Sequence, residues 1–399
     1  MIPSTRKAFN TGFTKEKYEE FLKEFHSIYP GALEFRVAET PIFVPKDFKQ
    51  KMLDACESIV DIIADPKFKE LTKNAIPEKL RVPGENEHSH FICFDFGVCI
   101  NDAGEYEPQL IEMQGFPSLF CYEALLPEIH QKYFPLPPGF DKYLAGFNKT
   151  SYIQLLKEII LAEENPENVI LLDLFPEKQK TRIDFVCTTD YLGIRPVCLT
   201  RIIKEGKKLF YQDGNKKIEI KRIYNRLIFD ELNQQSPEVQ EMGKMLFEEL
   251  DVQWIPHPNW FYRISKYTLP FIRHPYVPKT YFLNEVKQIP ADLENYVLKP
   301  LFSFAGQGVI IDLKIEDIEK VKDPENWILQ HKVKYANAIE TPDVPAKAEI
   351  RIFYFWKDGA LRPVPTNNLA RLSKGKMIGV RYNKDKEWVG GSFCLFAQQ

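Results

Sequence analysis

The stretch FICFDFGVCINDAGEYEPQLIEMQ, residues 91–114, decides how the rest of the chain is read. Two strand-like runs flank Asn101-Asp102-Ala103-Gly104, a cluster of turn formers, so the segment predicts an antiparallel hairpin. Asp95 lies on the first strand, while Glu112 and Gln114, two apart, share a face of the second, so the three side chains can converge. Hard oxygen donors gathered at one spot suit magnesium bound together with phosphates. Ile111 and Met113 are expected on the opposite face. Two exposed acids on an ordinary hairpin are the alternative.

Upstream of the hairpin, residues 15–26 and 46–63 carry the 3.6-residue apolar period of helices, the second through Met52, Ile59, Val60 and Ile63. Downstream, a Pro-rich stretch at 133–139 interrupts the chain, and an amphipathic helix follows with Ile153, Leu156, Ile159 and Ile160 on one side. A domain junction is expected near residue 165. Beyond it the pattern is strand, helix, strand: the apolar run 169–174, Pro176 at a helix start, a helix through Thr189 stopped by Gly193, and a strand from Pro196 to Arg201. That alternation predicts a parallel sheet. A hairpin about Asp213-Gly214 and a buried strand at 223–227 follow. From 277 to 399 the sequence mixes short strands, at 296–299, 309–311, 327–330 and 350–355, with short connections, and 379–396 reads as strand and turn. The fold class is α/β, in part α+β.

Composition narrows the classes of function. The 399 residues are 44% apolar and 13% aromatic, enough for a sizeable core in two or three domains. Fifty-three Lys and Arg against 56 Asp and Glu leave a net charge of −3 with no long single-sign block, so neither nucleic acid nor an anionic membrane is expected as a partner. No apolar run approaches the length of a membrane span, and Arg6 and Lys7 have no apolar stretch behind them. A soluble, cytoplasmic protein is expected. Its seven cysteines, odd in number and without a C-x-x-C pair, fit buried free thiols.

Two further constellations carry chemistry. In YVLKPLFSFAGQGV, residues 296–309, a strand delivers Lys299 at its end and Pro300 stops the ladder. A small-residue loop then runs from Ser303 through Gly306 to Gly308, whose backbone N–H groups can cradle phosphate. Neither a P-loop nor a Rossmann fingerprint has this order, and a plain hairpin with a surface lysine is the alternative. The segment 349–353, EIRIF, puts Glu349 and Arg351 on one face of an apolar strand, and Asn367, Asn368 and Arg371 follow shortly after. A buried Arg needs an anion, either a ligand or a neighbouring carboxylate. His88 and His90, in a polar stretch, read as a solvated loop rather than a zinc site, and residues 260–263, WFYR, as packing.

Together the hairpin acids, Lys266, Lys299, the small-residue loop, the strand 327–333 and the paired Arg strands resemble the ATP-grasp fold. The metal segment precedes Lys299 instead of following it, which is similar to the circularly permuted branch that includes eukaryotic-type glutathione synthetase. Residues 260–283, WFYRISKYTLPFIRHPYVPKTYFL, resemble the turn into the nucleotide-binding subdomain; 174–184 and 224–226 resemble the substrate-side pre-ATP-grasp domain. The resemblance divides the chain into 1–164 (helices and metal-binding part), 165–276 (parallel-sheet substrate domain) and 277–399 (nucleotide-binding part).

The resemblance implies a ligase that joins a small-molecule carboxylate to an amine through an acyl phosphate, with ATP and Mg2+ and release of ADP; an ATP-grasp kinase or a non-catalytic nucleotide binder are the alternatives. It implies that Lys266 and Lys299 contact the phosphates, that the loop of Ser303, Gly306 and Gly308 closes over them, and that the backbone of Gln330 to Val333 holds adenine. Asp95, Glu112 and Gln114 would hold magnesium. Arg351 and Arg371, with Lys299, would face the transferred phosphate, and Arg182, Arg226, Asn367 and Asn368 would contact the substrate. The chain departs from the pattern at Gln114, where the usual residue is Asn, in the lack of an acid in the loop, and at Cys93, which stands where glutathione synthetase has a substrate-binding Arg. These departures bear on the substrate rather than on the ATP chemistry.

Overall fold

The computed structural model describes residues 1–302, 308–376, 378 and 383–398, and shows a mixed α/β molecule with several sheets. The hairpin forms as strands Phe91–Ile100 and Tyr106–Gln114. Its first strand is buried along nearly its whole length, so the hairpin sits inside the molecule. It does so by pairing with strands from the far end of the chain. Five antiparallel strands run in the spatial order Gly390–Ser392, Val364–Ser373, Lys347–Phe355, Phe91–Ile100, Tyr106–Gln114. The central sheet thus draws its strands from the first and last parts of the sequence.

One face of this sheet is apolar. Phe94, Phe96, Ile350 and Ile352 are fully buried there in the same cluster as the inner stripe of helix Lys46–Ile63, whose Phe48, Met52, Ala55, Cys56, Ile59, Val60 and Ile63 recur at helical spacing. The other face is divided. Toward one end Phe91, Cys93, Phe353, Phe355 and Leu369 pack in a second core with helices Lys15–Ile28, Tyr122–Tyr133 and Lys149–Ile160. Toward the other end the same face carries Asp95, Glu349, Arg351 and Arg371.

The expected parallel sheet is present, with strands Gln253–Ile255, Arg222–Asn225, Val169–Asp173 and Arg195–Cys198 side by side in that order. The first of these has no clear sequence signal. The predicted helix from Pro176 is two pieces, a 3-10 turn Pro176–Lys178 and a helix Arg182–Leu192; it ends at Gly193 with φ +79°, a left-handed conformation that favours glycine. The strand expected to reach Arg201 stops at Cys198, and Leu199–Arg201 turn as a 3-10 helix. A small sheet of Thr280–Phe282, Trp327–His331 and Tyr296–Pro300 carries Lys299 and Gln330, and the strand expected at 309–311 is reduced to a single bridge between Leu298 and Ile310. All seven cysteines are buried free thiols, and among the described residues no helix is long and apolar enough to cross a membrane.

Candidate active site

The register of the central sheet sets the site. Asp95 lies opposite Glu112 on one side and Arg351 on the other, and Glu349 lies opposite Arg371. Between Asp95 and Phe96 the hairpin register slips, Asp95 pairing with Glu112 and Phe96 with Leu110, which leaves Ile111 as the extra residue of a β-bulge. Ile111 is therefore half-buried beside Glu112 rather than on the opposite face with Met113. Its carbonyl accepts a hydrogen bond from Lys299 Nζ at 3.2 Å.

Lys299 reaches this point from the small sheet. Its Nζ also donates to Gln330 Oε1 at 2.6 Å, and Gln330 in turn donates Nε2 to Thr280 Oγ1 at 3.0 Å. Burial, with the neighbouring Lys266 cation, holds the Lys299 ammonium down at about 8. Lys266 arrives by another route. Gly115 donates to the carbonyl of Ile264, and a Cβ at Gly115 would stand 2.5 Å from the carbonyl of Trp260, so only a bare backbone lets the Trp260–Arg263 turn dock against the end of the hairpin. Two residues beyond Ile264, Lys266 is buried, and that burial lowers its pKa against the opposing pull of Glu112.

A cavity of about 360 Å³ opens between the central sheet and the small sheet. Lys266, Lys299, Arg371, Glu112, Gln330 and Val333 all line it, so predicted phosphate, metal and adenine residues share one space. Val297, Val309 and Ile311 add an apolar strip. A second cavity of about 180 Å³ shares Glu112 and Lys266 with the first and takes in Gln114 and Arg226.

Arg351 meets its anion inside the protein. Its Nε and Nη2 donate to the two carboxylate oxygens of Asp95 at 2.6 and 2.7 Å, and Arg371 Nη2 donates to Asp95 Oδ2 at 2.7 Å. Arg371 also pairs with Glu349 Oε2 at 3.1 Å. Asp95 is fully buried; burial alone would raise its pKa, but the two guanidiniums outweigh it and keep the carboxyl below its ordinary range. Glu349, held by Arg371 and by the Tyr335 hydroxyl, is raised by its burial.

Other predicted residues stand elsewhere. Arg182 donates to the carbonyl of Gly31, away from both cavities, because its helix packs against the N-terminal part of the chain. Asn367 and Asn368 are both buried, on opposite faces of their strand: Asn368 donates to the carbonyls of Lys142 and Cys394 and accepts from Cys394 N. They brace the interior and line neither cavity. Gln330 contributes its side chain as well as its place on the strand. Ser303 and Gly306 lie outside the described residues; Gly308, exposed with φ +74°, is within them. His88 and His90 are not solvated: His88 stacks on Trp356 with centroids 4.3 Å apart, and His90 Nε2 lies 3.1 Å from Asp358 Oδ1.

The fold is similar to that of one solved glutathione synthetase-like effector. The solved apo structure of a glutathione synthetase-like effector from Globodera pallida superposes with a TM-score of 0.58 at 13% identity, over 97% of this chain and 98% of that one. No family profile and no curated protein matches the chain.

On this glutathione synthetase-like fold the donors for a divalent cation are few. Among the described residues no group of three His, Cys, Asp or Glu side chains could hold a metal alone. Both oxygens of Asp95 are taken by arginines, whereas Glu112 borders both cavities and is joined to Gln114 by a 2.7 Å hydrogen bond. A carboxylate and an amide oxygen fit magnesium that takes its remaining ligands from phosphates and water. Sequence reasoning found these residues by strand alternation; it missed Tyr335 and Ile111, which only the bulge and the strand order bring to the cavity.

Proposed function

We propose that this chain is a magnesium-dependent ATP-grasp ligase of the circularly permuted kind, joining a carboxylate to an amine. The observation that supports it most is the convergence of Lys266, Lys299 and Arg371 with Glu112 on one cavity that also has an apolar strip. About 360 Å³ lies within the range of small-molecule sites. Adenine packs on Val297, Ile311 and Val333, and the lysines receive the phosphates. Bound magnesium, held by Glu112 and Gln114, supplies charge neutralisation at the phosphate oxygens.

The substrate carboxylate, already ionised at neutral pH, needs no general base. Its oxygen attacks the γ-phosphorus, the bond from that phosphorus to the bridging oxygen of ADP breaks, and an acyl phosphate and ADP result. The amine nitrogen then attacks the acyl carbon, the carbon–oxygen bond to phosphate breaks, inorganic phosphate leaves, and the proton lost by nitrogen goes to phosphate or solvent. The protein's part is positioning and electrostatics: Lys299 and Lys266 on the phosphates, Arg371 on the transferred group, and Arg351 behind it through Asp95. Hydroxylamine tests the reading. With ATP, magnesium and a panel of carboxylates, trapping of a hydroxamate together with ADP release is expected; ADP release without hydroxamate would move the reaction to a kinase.

A further inference from the structure

The second cavity has a character of its own. Phe116, Phe261 and Phe302 form one part of its wall, Glu112 belongs to the polar part, and two cations border it, Lys266 shared with the first cavity and Arg226 in the second alone. Arg226 immediately follows the strand Arg222–Asn225, at the carboxyl end of the parallel sheet, where open α/β sheets place their ligands. The guanidinium lies 4.6 Å from the centroid of the Phe116 ring and donates Nη1 to the carbonyl of Pro117 at 2.8 Å, while its buried Nε–H has no partner among the described residues. A planar fork with an unmet donor suits a carboxylate. The space, about 180 Å³, is close to the ~150 Å³ that holds a benzene ring in an apolar cavity, and too small for an extended peptide.

We propose that this cavity binds a small carboxylate with a ring-sized apolar body, an arylalkanoate or its alicyclic equivalent, its carboxylate on Arg226 and its body against Phe116, Phe261 and Phe302. This rests on the reading of the first cavity as the nucleotide site, which the second meets at Glu112 and Lys266. It narrows the acceptor from any carboxylate to an apolar one.

Calorimetric titration of the full chain with 3-phenylpropanoate, its neutral amide 3-phenylpropanamide, and propionate tests the proposal without nucleotide. The acid is expected to bind at least about tenfold more tightly than the amide, which lacks the charge that Arg226 meets, and at least about tenfold more tightly than propionate, which lacks the apolar body. Arg226→Gln is expected to abolish the preference for acid over amide, its melting temperature serving as the check on folding. Equal affinity for acid and amide, equal affinity for the acid and propionate, or no binding of the acid would overturn the proposal, and all three are read on the wild-type protein. A separate titration with a non-hydrolysable ATP analogue keeps the two readings apart: binding of the acid without binding of the analogue would leave this site standing and remove the ligase.

Discussion

Asp95 Oδ1 accepts a hydrogen bond from Arg351 Nε at 2.6 Å although 256 positions separate the two residues along the chain. The carboxylate is enclosed, shared with Arg371, and inaccessible to solvent. It holds two guanidiniums, Arg351 behind the cavity and Arg371 at its wall, and we assign it a positioning role rather than that of a cation ligand.

Asp95→Asn follows from that directly. The substitution leaves the buried Arg351 guanidinium and the half-exposed Arg371 facing a neutral amide, and removing one partner of a buried pair costs about 3–5 kcal/mol. Urea denaturation is expected to register that loss. Glu112→Gln, at a half-buried position, is expected to cost much less stability while raising the magnesium concentration needed for nucleotide binding. An Asp95→Asn protein as stable as wild type would contradict the positioning role.

The hairpin, the helix at 46–63 and the parallel strand Val169–Asp173 were legible because each carries its own local signal: a turn cluster, a 3.6-residue apolar stripe, a nearly continuous apolar run. Convergence of Asp95, Glu112 and Gln114 was legible too, from alternation alone. What occupies Asp95 was not. That depends on which strand lies beside Phe91–Ile100, and the neighbour comes from residues 347–355. A bulge likewise leaves no mark in the residues around Ile111, so its shift to the cavity face is a property of pairing. Asn367 and Asn368 read as substrate contacts because the pattern cannot show that Lys142 and Cys394 take up the Asn368 amide inside the protein.

The pH response of nucleotide binding has a definite sign. Burial and the Lys266 cation lower Lys299 from 10.5 to about 8 in the free protein, so about half its charge is lost near that pH. A phosphate beside it favours the ammonium and raises the value again, so binding takes up protons between pH 8 and about 10 and weakens as pH climbs through that window. Calorimetry of ATP-analogue binding at pH 8.5 in buffers of different ionisation enthalpy is expected to show net proton uptake, and Lys299→Met to remove most of it. Uptake unchanged in the variant would assign the proton elsewhere.

Glu123 and Lys142 form a second enclosed pair, Nζ to Oε2 at 2.9 Å, with the Lys142 ammonium also donating to the carbonyl of Glu123 at 2.6 Å. Burial raises Glu123 to about 7 despite the neighbouring ammonium. Lys142→Met strands the carboxyl, and a loss of about 3–5 kcal/mol is expected; Lys142→Met with Glu123→Leu is expected to recover much of it, because an apolar replacement of both partners removes the desolvation cost. Denaturation midpoints of the three proteins check this, and a double variant no better than the single would contradict it.

The central claim is that Lys299 holds a nucleotide phosphate. Calorimetric titration of a non-hydrolysable ATP analogue with magnesium, at pH 7, into wild type and Lys299→Ala tests it most directly. Wild-type binding weakened about 10- to 100-fold in the variant, the equivalent of about 1.5–3 kcal/mol, is predicted. Equal binding by the two proteins, or none by the wild type, would contradict the account.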